Sequence, residues 1–293
     1  SVSRRPNSNY EFTDDFKLEN SGVTVSLGRR LEWPDNYFTL SNSLAFLVYN
    51  YSNYLYGSTA LPPVGQTNSL IFNTTLARNS IDNPMFPTQG SQISLSLSLT
   101  PPYSLFRDPT YYKDINQRYN WLELHKWMFD TKFYLKLLGS SKPTGRSLVM
   151  EARAHFGFIG TYSKALPQGP FERFFMGGAG LAGGFNSYVL GQEIVGLRGY
   201  QDNLVTPPLY SLRNTQQSNQ MEGGIVYDKF VMELRYPIST SQSATIYTMI
   251  FGEAGYNWNN FYEFNPFKSV RSAGVGARIF MPAFGLIGLN WAY

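Results

Sequence analysis

Ile93, Leu95, Leu97 and Leu99 alternate with Ser94, Ser96 and Ser98. An extended strand sends successive side chains to opposite faces, so this run has one apolar and one polar face. A helix would mix the two sets. The same period of two recurs along the chain. Val23, Val25 and Leu27 alternate with Thr24, Ser26 and Gly28, and Phe38, Leu40, Leu44, Phe46 and Val48 lie opposite Ser41 and Ser43. Leu70, Phe72 and Leu76 mark a further strand. Leu148, Met150, Ala152, Ala154, Phe156 and Phe158 then alternate with Glu151, Arg153 and His155, and Phe230, Met232, Leu234 and Tyr236 with Val231, Glu233 and Arg235. Strands are also predicted over 119–138, 245–258, 269–281 and 284–293, although Trp121 to Phe133 admits a helical reading as well.

About ten strands result, and their connections alternate in length. Short turns fall at 33–36, 80–90, 139–145, 239–242 and 282–283, and long links at 51–67, 101–118 and 161–223, with a medium one at 259–268. Tight turns on one rim and long loops on the other are the pattern of outer-membrane barrels, and a soluble β-sandwich has no reason to follow it. The predicted fold is therefore all-β: an antiparallel transmembrane β-barrel, or part of one, as a single domain over 1–293.

Composition sharpens this reading. Charged residues are 15% of the 293, well below the roughly 25% of soluble domains, while aromatics reach 16%. A barrel in lipid needs that balance, an uncharged outer band with aromatic girdles, and charged residues on the alternate face suit a polar lumen. The net charge of +4 is too small and too scattered for nucleic acid, and no Lys/Arg run exceeds two residues (Arg4-Arg5, Arg29-Arg30). With no cysteine there is no disulfide or thiolate chemistry. Ser1 to Asn20 is polar throughout and unlike a signal peptide. No apolar run is long enough for a membrane-spanning helix.

Most candidate chemistry fails on context. Gly178, Gly180 and Gly183 match the dinucleotide fingerprint in letters, but no helix pattern follows them, so the segment reads as a flexible or tightly packed loop. The histidines, His125 and His155, are too few for a histidine-only metal site, and His155 is expected to face the lumen beside Glu151 and Arg153. No Gly-x-Ser-x-Gly elbow occurs. Neither a catalytic constellation nor a cofactor or metal site is expected, and the chain is not read as an enzyme. What remains is Leu197-Arg198-Gly199-Tyr200, deep in the 161–223 segment. Its arginine either lies in solvent or is held by a buried acid. Two acids qualify: Glu233, on a lumenal face, and Glu253, on the next strand and on one face with Tyr247, Met249 and Phe251. Adjacent strands lie ~5 Å apart, so acids at similar heights can hold one guanidinium between them, stacked on Phe251. Alternatively they are ordinary lumenal acids paired with neighbours such as Arg235.

Several ordered segments resemble the BamA family of outer-membrane assembly barrels, within a wider superfamily of assembly and translocation barrels. Asp82-Asn83-Pro84-Met85-Phe86-Pro87-Thr88-Gln89-Gly90 resembles the family turn ending in Phe-Pro-Thr-x-Gly. Phe171-Glu172-Arg173-Phe174-Phe175-Met176-Gly177-Gly178 resembles the start of its sixth extracellular loop, and Leu197-Arg198-Gly199-Tyr200 the Arg-Gly-aromatic signature tucked into the lumen. Glu233 to Pro237, Phe251 to Gly255 and Gly274 to Arg278 resemble the three strands after that loop. The resemblance implies that Arg198 contacts Glu233 and Glu253, where the family often has Asp at the second position. It also implies that these strands correspond to the sixth to fifteenth of sixteen, with no periplasmic repeats in this chain. The implied role is insertion and folding of β-barrel proteins in the outer membrane of a Gram-negative bacterium, without nucleotide hydrolysis. The implied partners are nascent barrel proteins, accessory assembly lipoproteins and outer-membrane lipids. A translocation barrel of the same superfamily, of the two-partner-secretion or TamA type, is the alternative, and a passive porin a more distant one.

Overall fold

The structure is a computed structural model that describes residues 2–6, 12–52, 64–139, 147–166, 168–169, 171–180, 193–207, 223–241, 244–282 and 285–293, with side chains from residue 19 onward. Its strands in chain order are β1 (Val2–Pro6), β2 (Phe12–Arg30), β3 (Phe38–Ser52), β4 (Val64–Asn79), β5 (Gly90–Leu99), β6 (His125–Gly139) and β7 (Ser147–Gly160). They continue with β8 (Phe174–Met176), β9 (Glu193–Val195), β10 (Val226–Thr240), β11 (Thr245–Trp258), β12 (Val270–Met281) and β13 (Gly285–Ala292). All but β8 and β9 form one eleven-stranded sheet in which each strand lies beside the next, β7 being followed directly by β10. Every pairing in it is antiparallel. The fold is a partial antiparallel barrel.

The faces are inverted relative to a soluble sheet. Leu44, Phe46, Phe133, Met232, Ile250 and Leu289 point outward and are exposed, while Glu151, Glu233, Glu253 and Arg235 point inward and are buried. Hydrocarbon as the outer solvent produces that arrangement, since strands in lipid must satisfy their backbone within the sheet and keep their charges on the lumenal side. The wall curves: Tyr49 and Tyr51 of β3 share one apolar cluster with Tyr227 of β10 and with Leu197 from the connection between β7 and β10. At the opposite rim Phe86 meets Tyr247 of β11 at 5.3 Å between ring centroids.

The eleven strands agree with the expected count of about ten, the additional one being β1, while two other sequence expectations are corrected. β1 and the first ten residues of β2 carry no apolar alternation, so periodicity starts only at Val23. The strand expected over 119–138 begins at His125, and the helical reading of Trp121 to Phe133 does not hold. Tyr119 and Asn120 close the short helix as a turn, and residues 121–124 pair elsewhere: the Leu122 amide donates to the Asn68 carbonyl (2.7 Å), and the Leu124 amide to Thr100 Oγ1 (2.7 Å). Finally, 161–223 is not wholly irregular, because β8 and β9 pair in parallel within it. The 101–118 link holds short 3-10 turns and one four-residue helix. Gly183, Phe284 and the interiors of the links at 51–67, 139–145, 239–242 and 282–283 lie outside the described residues.

Candidate functional site: a lumenal arginine clasp

The site begins with an electrostatic conflict set by register. Glu233 on β10 stands directly opposite Glu151 on β7, and like charges at facing positions destabilise a sheet. Two arginines on the same face resolve it. Arg235 places Nε 2.8 Å and Nη2 2.7 Å from Glu233 Oε2, and Nη2 also contacts Glu151 Oε2. Arg153 places Nη2 2.6 Å from Glu233 Oε1 and Nε 3.1 Å from Glu151 Oε1. Tyr134 donates its hydroxyl to Glu151 Oε1 at 3.2 Å.

Across the β10–β11 pair, Phe251 is opposite Glu233 and Val231 is opposite Glu253. The two glutamates are thus diagonal rather than level, with Phe251 below the gap. Arg198 fills that gap. Its Nε donates to Glu253 Oε1 at 2.7 Å, its Nη2 to Glu233 Oε1 at 2.6 Å, and its backbone amide to Glu253 Oε2 at 2.8 Å. Its Cζ lies 3.6 Å from the centroid of the Phe251 ring. A planar fork that bonds at its edge and stacks on its face suits this position, and an ammonium does not. Glu233 is 1% and Glu253 4% exposed. Lys229 Nζ approaches Glu253 Oε1 at 3.8 Å and donates to the Gly196 carbonyl. Four cations therefore surround three acids in this cluster.

The loop backbone is shaped to deliver that guanidinium. Leu197 is fully buried, and its amide donates to the Gly178 carbonyl at 3.0 Å, while the Gly178 amide donates to the Tyr200 carbonyl at 3.1 Å. Gly199 has φ +89°, a conformation that disfavours any side chain, and a Cβ there would sit 3.0 Å from Ser272 Cβ on β12. The Tyr200 hydroxyl donates to the Arg271 carbonyl at 2.7 Å. One turn thus touches β10, β11 and β12.

The start of the loop is anchored separately. Phe171, Phe174 and Phe175 are buried. Phe174 packs edge-on against Tyr227 at 4.6 Å, and its backbone exchanges hydrogen bonds with Gly224 (2.9 and 2.8 Å). Gly177 donates to the Val195 carbonyl at 3.0 Å. Arg173 donates to the carbonyls of Gly169 (2.7 Å) and Gly223 (3.1 Å) and to Asn259 Oδ1 (2.8 Å). Lys126 lies 3.3 Å from Glu172 and 3.5 Å from Glu193. Burial raises the Glu172 carboxyl above the usual carboxylate range, against the opposing pull of Lys126.

The structure brings Arg198, Glu233, Phe251 and Glu253 into one cluster and seats the Phe171–Gly178 segment beside it. Sequence reasoning assigned no part in the cluster to Glu151, Arg153, Arg235 or Lys229, beyond naming Arg235 as a competing partner, which it also is. Their two-residue spacing on one strand face was the available signal. A Cβ on Gly178 would collide with the Asp202 side chain, so this glycine serves close packing. The histidines make separate contacts: His155 meets Asp130 across the β6–β7 pair, and His125 Nδ1 accepts from Trp127 Nε1 at 3.2 Å.

An outer-membrane β-barrel whose longest loop turns inward and is held to the wall by charge defines the class. The chain belongs to the Omp85 superfamily, whose domain it matches over residues 1–293. Its fold is similar to that of BamA from Haemophilus ducreyi, solved without POTRA domains 1–3, with a TM-score of 0.66 at 16% identity over 95% of this chain and 51% of that one. The chain thus spans about half the length of that structure.

Proposed function

We propose that this chain is the membrane wall of a machine that inserts and folds β-barrel proteins into the outer membrane of a Gram-negative bacterium, without nucleotide hydrolysis. The observation that carries the reading is the clasp of Arg198 between Glu233 and Glu253. A loop fixed by buried charge occupies the lumen, which suits a barrel that acts through its wall and disfavours one serving as an open diffusion pore. Strand pairing supplies the chemistry, because an unpaired strand edge is a template for an incoming strand, and folding of the client releases the free energy. The partners would be nascent barrel proteins, accessory assembly lipoproteins and outer-membrane lipids. Arg198, Glu233 and Glu253 are positioning residues that brace the wall.

The test is reconstitution of the full-length protein in liposomes with an unfolded barrel client and no nucleotide. Acceleration of client folding, scored by its heat-modifiable gel mobility, is expected with the native protein. Folding no faster than in empty liposomes would overturn the reading. Appearance of a soluble client on the far side of the membrane would instead favour a translocation barrel.

A further inference from the structure

The outward face of β6, β7, β10, β11 and β12 is not evenly covered. On β7 and β11 the outward residues Ala152, Ala154, Gly252 and Ala254 are small, whereas Phe133, Phe230 and Met232 on the neighbouring strands are large. The result is a hollow of about 530 Å³ in the membrane-facing wall. Gly252 is the informative member. A glycine inside a strand weakens it and commonly marks a bulge or the close approach of another group. No bulge interrupts the register at Gly252 on either side. A Cβ added there would meet its nearest atom, the Ser272 carbonyl oxygen, at 3.9 Å. Neither the backbone nor the protein's own packing demands this glycine, so the space in front of it is kept for something outside the chain.

Two polar groups bear on what that is. Thr131 lines the hollow, is 8% exposed, and its hydroxyl finds no hydrogen-bond partner among the described residues. Arg271 lines it from the long-loop end, and among the described residues its guanidinium makes no ion pair or hydrogen bond. Below this hollow lies a second one of about 770 Å³, bordered by Leu234, Ile250, Val275, Ala277 and Trp291. From Arg271 to Ala277 the strand rises roughly 20 Å. At barrel tilt this is roughly 15 Å of membrane depth, about one leaflet. The long-loop rim faces outward from the cell in such barrels.

We infer that these two hollows form a binding groove for an anionic, phosphate-bearing acylated lipid of the outer leaflet, with its chain seated over Gly252 and its phosphate against Arg271. The groove is continuous with the lipid-facing band, and its long axis follows one leaflet. Of its two lining arginines, Arg153 is engaged by Glu151 and Glu233 in the lumenal cluster, and Arg271 stands at the headgroup end. Arginine suits a phosphate at that depth because its fork bonds two oxygens at once. The inference rests on the strands spanning the membrane and not on the assembly role.

The experiment uses the full-length protein, delipidated and returned to phosphatidylcholine nanodiscs containing either a bis-phosphorylated lipid A or its dephosphorylated form, with retained lipid counted by native mass spectrometry. The native protein is expected to retain the phosphorylated lipid selectively. Arg271→Gln is expected to lower retention about tenfold and to abolish the preference for phosphate. Gly252→Leu is expected to lower retention of both forms, and the open space at its Cβ lets it fold. Equal retention of phosphatidylcholine by the native protein and both variants would reduce the groove to ordinary annular contact and overturn the inference. So would a photoreactive group at position 252 that captures polypeptide instead of lipid.

Discussion

Glu233→Gln is expected to be the most destabilising single change in the wall. Three guanidiniums, those of Arg153, Arg198 and Arg235, meet this one carboxylate at 2.6–2.8 Å. Glutamine keeps the shape and one acceptor but removes the charge, leaving the arginines crowded round a neutral amide with only Glu151 and Glu253 in reach. Breaking a buried pair while its partners stay buried costs about 3–5 kcal/mol. The urea midpoint of the folded barrel in detergent should fall accordingly. Glu263→Gln, on an exposed loop, is the control and should move it by no more than about 0.5 kcal/mol. A Glu233→Gln barrel within about 1 kcal/mol of the native one would show that the cluster contributes nothing beyond its desolvation cost.

Arg198→Ala is expected to act on the loop first and on the wall second. It strips Glu253 of its guanidinium, leaving that buried acid with a backbone amide at 2.8 Å and the Lys229 ammonium at 3.8 Å, and it uncovers the face of Phe251. The cost is about 3 kcal/mol, and the turn at 197–200 should be released before the sheet is. Chymotrypsin reports this directly, since Leu197 is buried in the native fold and should become cleavable in the variant. Arg198→Lys should rescue only in part, because an ammonium cannot bond at its edge and stack on its face together. The Arg198→Ala and Glu253→Gln effects should fall short of additivity by about 1–3 kcal/mol. Simple addition would mean that the 2.7 Å contact between the two groups carries no coupling.

The strands with clean alternation were legible because a period of two is a local property, carried in each run of six or seven residues. β1 and the upper part of β2 were not, since Phe12 to Asn20 mixes polar and apolar residues without a period. The start of β6 was misjudged for a related reason. Residues 119–124 are as apolar as a strand, yet Leu122 and Leu124 bond to Asn68 and Thr100, and nothing within the segment says so. In the clasp, alternation placed Glu233 and Glu253 on the lumenal face, and the adjacency of their strands placed them together. Their diagonal offset was invisible, because register depends on turns and bulges such as the shift between Pro237 and Ser239. The contacts of Arg153 with Glu233 and of Arg173 with Asn259 join residues 80 and 86 positions apart, and no sequence pattern spans that distance.

The ionic cluster joins β7, β10, β11 and the inner loop, and β12 is tied in through Tyr200. Along β4, β5 and the short-turn half of β3 the lumenal face carries mainly Ser, Thr and Asn, whereas Tyr49 and Tyr51 at the long-loop end of β3 join the apolar cluster with the inner loop. The single ion pair described there, Arg78 with Asp35 at 2.8 Å, sits at the short-turn rim. A tube riveted along one side does not yield evenly when it is squeezed. Its compliance collects in the unriveted arc, so the shape changes this barrel undergoes should be borne by the serine-lined strands while the clasped quadrant moves as one plate.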